Sequence, residues 1–388
     1  MKVKLVRITT VPISLRYLIS GQPGFMSENG FEVALISSDG VDWQYIKDEA
    51  YCKRYKVNMA RHIAVLKDAC ALLHLIWLFI KIKPQMVHSH TPKAGLLSMI
   101  ASKIAGVPIR MHTVAGLPLM EAKGVKRKIL EIAEKITYWC ASNVYPNSKN
   151  LQQFILNNKF CPPSKLKVIG NGSSNGINTT YFSLDETIHQ KAREIKEELK
   201  ISSEHFVFIF IGRVVQDKGI AELIKAFTRL KNKYRNIRLL LVGPFEPELD
   251  PLPKETIQSI QIDPNIVHTG FQGDIRPYLA FSNALVFPSY REGFPNVPMQ
   301  AGCFNLPSIV TDINGSNEII ENNKNGLVIP PKNSDALQEA MEKILSNKNL
   351  YTRCKENARK MIIDRYDQKH FWELLLQEYK LLLSGKCL

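Results

Sequence analysis

The chain has 388 residues, of which 45% are hydrophobic and 22% are charged. That length supports two or three domains with large cores, and it excludes a small disulfide-stabilised scaffold and wholesale disorder. Residues 1–182 carry 24 basic and 10 acidic side chains, a net charge of +14, whereas residues 183–388 carry 27 and 26, a net charge of +1. The basic half predicts an anionic partner: nucleic acid, a membrane face or phosphorylated substrates.

Short apolar runs alternate with helical periodicity along the first half, which is the pattern of parallel βαβ units. The most apolar stretch, Ala69–Ile80, has twelve residues, fewer than the roughly 20 that a helix needs to cross a bilayer. We expect it to be a buried helix, with a membrane-surface element as the alternative. The predicted strands are 3–8, 31–37, 86–90, 108–113, 143–146 and 166–170.

Three features of the first half bear on compartment and metal binding. The seven cysteines are widely spaced and form no C-x-x-C pair, which favours a reducing compartment. Arg7, Pro12 and Arg16 interrupt any signal-peptide apolar region, so we expect a cytoplasmic protein without a spanning segment. His88 and His90 have no nearby carboxylate or cysteine to complete a ligand set, and we expect no metal there.

A segment dense in Gly, Asn and Ser, residues 171–182, predicts a hinge between the halves. The same alternation then recurs, with helical patterns over 185–200 and 333–383. We predict an α/β fold of two doubly wound, Rossmann-like domains facing a cleft, where the carboxyl ends of the strands bind ligands. The predicted strands of the second half are 206–212, 237–243, 265–270, 284–288, 308–311 and 326–330. The predicted domains are 1–182, 183–365 and a C-terminal helix, 366–388, that packs back on the first domain.

The segment from Gly212 to Gly219 follows a fully apolar predicted strand and precedes a predicted helix. Arg213 and Lys218 would project from the carboxyl end of that strand beside a helix N-terminus. Both side chains can bind phosphate, Arg as a planar fork and Lys as a point charge. The alternative is a solvated basic loop.

A second candidate segment, from Pro288 to Gly302, also follows a predicted strand. Asn296 is a plausible N-cap, and Pro298 suits the first helical turn. Glu292 precedes this helix and could hold a polar or partly cationic group. The amide of Gln300, within the helix, could hydrogen-bond the hydroxyls of a bound ribose.

A third candidate, His112, ends a predicted strand of the first domain, with a purely structural histidine as the alternative. The sequence has no D-x-D, the usual acidic anchor for the metal ion of a sugar nucleotide.

In order, these motifs are a strand-end His, G-R-x-x-x-x-K-G, P-S-x-x-E-G-F-P-N, D-I-N-G-x-x-E-I-I and N-G-L-V-I-P-P. Over nearly the whole chain, the sequence resembles glycosyltransferase family 4, whose fold is GT-B. Within that family it is most similar to bacterial enzymes of capsule, O-antigen and lipid-linked glycan assembly, on R-x-H-T-V-A-G-L-P (110–118) and N-G-S-S-N-G-I-N (171–178).

The resemblance implies transfer of a sugar from a nucleotide sugar, with UDP as the default nucleotide, with retention of configuration and without metal or cofactor. It implies that Arg213 and Lys218 bind the diphosphate, that Glu292 faces the donor sugar, and that His112 contacts that sugar from the other domain. These four are the candidate catalytic residues. The remaining candidate donor-binding residues are Gly212, Gly293, Phe294, Pro295, Asn296 and Gln300.

The sequence departs from the family pattern at several positions. Gln300 stands where the family has a second glutamate, and the usual paired-glycine loop is replaced by a longer segment ending at Gln22. Gly21 and Lys93 are candidates for acceptor or loop contacts. Glu318 is interpreted as a residue that orders its loop.

A compact basic cluster, which we call the lysine cluster, lies beside apolar helical residues and predicts docking on an anionic membrane, with a solvated helix face as the alternative. Its members are Lys123, Lys126, Arg127 and Lys128. The expected partners are a nucleotide sugar, a polyprenyl-diphosphate-linked glycan acceptor and the inner face of the plasma membrane, with no nucleic acid. The alternatives are a nucleotide-sugar epimerase, a soluble glycoside-forming transferase, a basic nucleic-acid-binding protein and an inactive sugar-nucleotide-binding homologue.

Overall fold

The structure is a computed structural model that describes residues 2–46, 52–60, 62, 64–120, 122–248 and 250–385. The chain divides into two compact units: unit 1 is Met1–Gly176 with Gln368–Leu388, and unit 2 is Ile177–Asp367. The chain therefore passes from unit 1 to unit 2 at 176/177, where 182/183 was predicted, and returns at 367/368, where 365/366 was predicted. The last segment of the chain groups with unit 1.

Unit 1 is built on a six-stranded parallel sheet. Its strands are β1 (Val3–Ile8), β2 (Phe31–Ser37), β3 (Lys53–Lys56), β4 (Met86–Ser89), β5 (Ile109–Val114) and β6 (Asn143–Pro146), in the sheet order β3-β2-β1-β4-β5-β6. The helices of its first segment are α1 (Pro12–Leu18), α2 (Gln22–Glu28), α3 (Val65–Ile82), α4 (Pro92–Ile104), α5 (Gly124–Cys140) and α6 (Lys149–Asn157).

One predicted strand of unit 1 is wrong and one real strand was missed. Residues 166–170 form only an isolated bridge, between Leu166 and Val144, at the edge of β6. The sixth strand is β3 instead, whose residues, K-R-Y-K, are mostly exposed. A polar edge strand of this kind has no apolar periodicity for a sequence pattern to detect.

Unit 2 holds a second six-stranded parallel sheet, in which all six predicted strands are present. Its strands are β7 (Phe206–Ile211), β8 (Ile237–Val242), β9 (Ile266–His268), β10 (Ala284–Phe287), β11 (Ser308–Thr311) and β12 (Gly326–Ile329), in the order β12-β11-β10-β7-β8-β9. Its helices are α7 (Glu186–Glu198), α8 (Ile220–Lys233), α9 (Lys254–Ile262), α10 (Arg276–Phe281), α11 (Asn296–Cys303), α12 (Ser316–Ile319), α13 (Ser334–Ser346) and α14 (Lys348–Tyr366).

The last helix, α15 (Gln368–Leu383), packs on the sheet face of unit 1 that also carries α2. It buries Phe371, Leu375 and Tyr379 in the core there. Two polar contacts fix it further: the hydroxyl of Tyr379 lies 2.6 Å from Nδ1 of His88, and Trp372 donates its Nε1–H to Asn175.

The opposite face of the unit 1 sheet is covered by α3, α4 and α5, which pack side by side. The expected helix over Ala69–Ile80 is present within α3, but the expectation that it is buried holds for only one of its faces. Helix α3 buries Ala71, Leu75, Leu78 and Phe79 but leaves Leu73 and Trp77 exposed. Within the described ranges, no helix has both the length and the apolarity that a membrane crossing needs.

Candidate functional site

The loop that follows β7, residues 212–219, is held against the end of β10 by a close backbone approach. Gly219 has φ +71°, and a Cβ atom there would lie 2.2 Å from the carbonyl oxygen of Pro288. No L side chain fits such a position without moving the backbone. Gly219 therefore brings Lys218 next to the segment that starts at Pro288.

Lys218 and Glu292 form an ion pair, with Nζ of Lys218 2.5 Å from Oε1 of Glu292. The side chains are only 14% and 16% exposed, and the same carboxylate oxygen accepts a hydrogen bond of 2.8 Å from Ser289. The structure thus brings together two of the predicted catalytic residues. Each neutralises the charge of the other in a largely desolvated position.

Arg213 lies on the same loop but remains more exposed. Its Nη1 lies 3.2 Å from Oε2 of Glu246, which belongs to the loop after β8, and 42% of its side chain is exposed. An exposed pair of this kind is weak. The guanidinium can therefore exchange Glu246 for another anion at small cost.

Asp217 ties three loops of unit 2 together. Its backbone N–H donates to Oδ2 of Asp250 at 2.6 Å, and its backbone carbonyl accepts from the N–H of Tyr290 at 2.8 Å. Its carboxylate pairs with Nε of Arg291 at 3.1 Å. The loops after β7, β8 and β10 therefore form one hydrogen-bonded assembly at the carboxyl edge of the sheet.

Asp217, Glu246 and Asp250 belong to this site but were not predicted from the sequence. A partial signal was present, because Glu246 and Asp250 lie in the loop that follows the apolar run of β8. Residues after a buried parallel strand collect at the ligand-binding edge of an open α/β sheet.

The segment around Gly293 is fixed by the loop after β11. The amide of Asn314 donates to the carbonyl of Gly293 at 2.5 Å. Gly315, with φ +75°, lies so close that a Cβ atom there would be 2.6 Å from that same carbonyl oxygen. The ring of Phe294 packs against Tyr366, with centroids 5.5 Å apart. This support sets the path of the backbone that was predicted to contact the donor sugar.

The predicted N-cap of the next helix is wrong. Helix α11 begins at Asn296, its N-cap is Pro295, and no side chain caps it. Pro298 lies in the first turn, where a missing N–H costs nothing. Gln300 is half-buried within the helix, four residues from its start.

Glu318, in α12, connects its loop to the end of α14. Its backbone carbonyl accepts hydrogen bonds from Arg365 and from the hydroxyl of Tyr366, the latter at 3.0 Å. These two hydrogen bonds tie the main chain of Glu318 to the end of α14.

His112 lies in β5 of unit 1 and is only 2% exposed. Its Nδ1 lies 2.8 Å from Oγ of Ser89, and its ring occupies the space above Gly95, where a Cβ atom would be 2.3 Å from Cε1. Burial lowers the pKa of His112 to about 4, so its ring is neutral at pH 7. Its predicted contact with the donor sugar stays a prediction.

Gly21 and Lys93, the candidates for acceptor or loop contacts, both have partners inside unit 1. Gly21 has φ +80°, and a Cβ atom there would lie 2.4 Å from the ring of Trp372. Lys93 forms an ion pair with Asp68 of α3. Their contacts with an acceptor stay predictions.

His88 and His90 are buried with their rings in contact, the centroids 4.3 Å apart and the ring planes tilted by 36°. Nε2 of His88 lies 2.7 Å from the hydroxyl of Thr113, and Nε of Arg7 donates to His90 at 3.1 Å. Burial holds the pKa of both rings well below the usual range of histidine. These contacts give the two histidines a structural place between β1, β4 and α15. In the described part of the chain, no three His, Cys, Asp or Glu side chains form a group that could hold a metal ion.

Comparisons with known proteins identify relatives of the chain. Residues 191–361 match the family model described as Glycosyl transferases group 1, and residues 25–172 match that of the Glycosyl transferase 4-like domain. The chain is 33% identical over 382 residues to the capsular polysaccharide biosynthesis glycosyltransferase CapM of Staphylococcus aureus, with 98% of each chain covered.

A second relative is 25% identical over 376 residues, with 94% of each chain covered. It is the UDP-Gal:alpha-D-GlcNAc-diphosphoundecaprenol alpha-1,3-galactosyltransferase of Escherichia coli. Among solved structures, a glycosyltransferase from Rickettsia africae superposes with a TM-score of 0.81 at 20% identity, covering 98% of this chain and 99% of the other. Anabaena HepE in complex with UDP gives 0.78 at 18% identity, covering 98% and 100%. These structural likenesses confirm the predicted two-domain α/β fold of the GT-B type.

Proposed function

The chain belongs to glycosyltransferase family 4, and on that premise we propose that it is a retaining, metal-independent hexosyltransferase that uses a UDP-sugar. The proposed acceptor is a polyprenyl-diphosphate-linked glycan in surface polysaccharide assembly. The contact between Lys218 and Glu292 carries this proposal, because it places a cation for a diphosphate beside a carboxylate for a sugar. The names of the S. aureus and E. coli relatives support the capsule context, the UDP donor and the lipid-linked acceptor.

In the proposed reaction, Arg213 and Lys218 bind the diphosphate of the donor and stabilise the negative charge that grows on it as the bond to the sugar breaks. The acceptor hydroxyl attacks the anomeric carbon from the side that the diphosphate leaves, and its proton passes to the departing diphosphate oxygen. Glu292 holds the hydroxyls of the donor sugar and, as an anion, stabilises the positive charge that develops on the ring.

The same residues support the proposal that no metal ion is needed. Two fixed cations can supply the charge that a divalent ion would otherwise provide to the diphosphate. The sequence also has no D-x-D to anchor a metal ion. Gln300 is proposed to bond the ribose through its amide.

The proposed acceptor side is unit 1, at the inner face of the plasma membrane. Lys123, Lys126 and Lys128 are exposed at the start of α5, and Arg127 pairs with Glu131 at 2.9 Å. Cations at a helix N-terminus are disfavoured by the helix dipole. An anionic surface would reduce this unfavourable interaction by neutralising the cations. The side of the protein that would receive a lipid-linked diphosphate is thereby matched to anionic headgroups.

The donor half of this proposal is tested by thermal unfolding of the protein with nucleoside diphosphates and their sugars in the presence of EDTA. UDP and its sugars should raise the melting temperature, and Arg213→Ala should remove most of that rise. The absence of a shift with any nucleotide would contradict the proposal, and a shift that requires a divalent ion would contradict metal independence.

Transfer is tested with a short-chain polyprenyl-diphosphate-linked sugar and a panel of UDP-sugars. A new glycosidic bond of retained configuration, formed only when the acceptor is present, is the expected product. Conversion of the donor sugar without acceptor would instead identify an epimerase.

A further inference from the structure

Helix α5 exposes its apolar residues and buries polar ones. Its exposed apolar side chains recur at intervals of four and three residues along one stripe, between 39% and 74% exposed: Val125, Ile129, Ile132, Ile136 and Trp139. Its buried positions include the carboxyl group of Glu134, whose pKa burial raises to about 7, and Thr137. A helix that only packed on the sheet of unit 1 would have the opposite polarity.

Helix α3 carries a second stripe on the same side of the sheet. Leu66, Leu73, Trp77 and Ile80 are between 55% and 83% exposed. Their spacing of seven, four and three residues aligns them along one line of the helix. Large apolar side chains scattered singly over a surface are normal, but two aligned rows on helices that flank a third helix mark an interaction surface.

The two stripes belong to one surface, because α3 packs on α4 and α4 packs on α5. Ile104, at the end of α4, is also exposed. We call this surface the docking face. It is defined by the α3 stripe, Ile104 and the α5 stripe.

Cations border the docking face at both ends. Nζ of Lys81 lies 4.9 Å from the ring centroid of Trp77, and Nζ of Lys103 lies 2.9 Å from that of Trp139. The lysine cluster lies at the N-terminal end of α5. Apolar rows with tryptophan and lysine at their margins suit the boundary between acyl chains and anionic headgroups, where lysine stems extend toward the phosphates.

From this arrangement we infer that the docking face inserts shallowly into an anionic bilayer, and that α3 contributes as much to membrane binding as α5. The inference rests on the proposed function only in naming the membrane where the acceptor lies. It adds insertion of apolar side chains to the charge attraction of the lysine cluster. Binding through an inserted apolar face persists in part at salt concentrations that remove purely electrostatic attachment. The face lies on unit 1, whose helices begin at the same edge as the carboxyl ends of its strands.

The test is flotation of the full chain with vesicles of phosphatidylcholine and phosphatidylglycerol in equal parts, and with phosphatidylcholine alone. The double variant Leu73→Gln/Trp77→Gln should lower partitioning into the anionic vesicles about tenfold, because it removes two inserted side chains. Ile129→Gln/Ile132→Gln should act similarly. The matched control is Ile262→Gln, which removes an apolar side chain that is 79% exposed in unit 2 and should change nothing.

A second measurement reports insertion directly. Bromine-labelled acyl chains should quench the tryptophan fluorescence of the vesicle-bound protein, and Trp77→Phe together with Trp139→Phe should remove that quenching. Circular dichroism and the melting temperature of each variant confirm that it is folded.

Three results would overturn the inference. The first is wild-type partitioning of the α3 variant, and the second is full release of the wild type by salt. The third is light scattering that shows a dimer which the same substitutions dissociate, since the face would then join two copies of this chain. Failure of the proposed function is separate: it appears as absence of transfer to a short-chain acceptor in detergent, an assay that needs no vesicle binding.

Discussion

Nζ of Lys218 and Oε1 of Glu292, 2.5 Å apart, close the site of unit 2 by an ion pair that bridges the loops after β7 and β10. A bound diphosphate must compete with Glu292 for Lys218. Before the donor binds, each of these two largely buried charges therefore neutralises the other. Substitution of Lys218 and substitution of Glu292 should for that reason affect UDP binding differently.

Glu292→Gln should lower kcat about 100-fold or more while UDP binds as tightly as before, or more tightly. The amide removes the anion that stabilises the sugar in the transition state, and it leaves Lys218 free for phosphate. Lys218→Met should instead weaken UDP binding about tenfold. Calorimetric titration with UDP and initial rates of transfer give both quantities. Equal weakening of UDP binding by the two substitutions would contradict this division of roles.

Glu246→Gln should tighten UDP binding about threefold, because Arg213 would no longer exchange a carboxylate for the diphosphate. The matched control is Glu248→Gln, which removes one negative charge from the exposed part of the same loop. Both are measured by titration at low and at moderate salt. If the two variants bind UDP alike, the effect is one of net charge and the contact of 3.2 Å between Arg213 and Glu246 has no part in it.

Gln300→Glu should increase donor affinity severalfold at unchanged fold stability. A carboxylate accepts hydrogen bonds from ribose hydroxyls more strongly than an amide does, by about 1 kcal/mol. The comparison uses UDP against a deoxyribose analogue that lacks the 2′-hydroxyl. A gain of equal size for both nucleotides would show that Gln300 does not touch the 2′-hydroxyl.

Glu134→Gln should stabilise the protein above pH 7 and have less effect at pH 4. Burial raises the pKa of Glu134 to about 7, so the folded state holds a proton that the unfolded state loses near pH 4.5. The protonated carboxyl therefore contributes its full stability below pH 4.5, and that contribution is lost as the pH rises to about 7.

The difference between variant and wild type should grow by about 3 kcal/mol across that window. Denaturant unfolding at pH 4, 5.5, 7 and 8 measures it. Glu131→Gln, which removes a more exposed carboxyl from the same helix, is the control. A constant difference across the four pH values would contradict the raised pKa.

The parts of the fold that bury apolar strands could be predicted from the sequence. Every strand of unit 2 has a run such as F-V-F-I-F-I or a shorter equivalent, and all were found. The edge strand β3 was not predicted, because its residues are mostly exposed and show no apolar periodicity. The α3 stripe was not predicted for the opposite reason. A nearly continuous apolar run of twelve residues indicates that a helix is hydrophobic but not which of its faces remains uncovered.

The candidate site divides in the same way. Arg213, Lys218 and Glu292 could be located because each lies in a loop that follows a predicted strand, and Lys218 and Glu292 do meet. The partner of Arg213 and the anchor of Asp217 come from a third loop, and only the strand order β10-β7-β8 brings that loop beside the other two. Sequence patterns locate the ends of strands but not which strands are neighbours, so the contacts of Glu246 with Arg213 and of Asp250 with Asp217 could be assigned only from the folded sheet.

The two points at which the chain passes between the units lie next to each other in the fold. Ile177 pairs with Asp367 in an isolated bridge, its N–H donates to the carbonyl of Tyr366 at 2.8 Å, and Thr179 donates to the carboxylate of Asp367 at 2.6 Å. Unit 2 is therefore an insertion whose first and last few residues are hydrogen-bonded to each other. Joining these two ends with a linker would cost little loop entropy. Cuts at 176/177 and 367/368 would interrupt no strand or helix, so a short linker from Asp367 back to Ile177 would leave the elements of unit 2 intact.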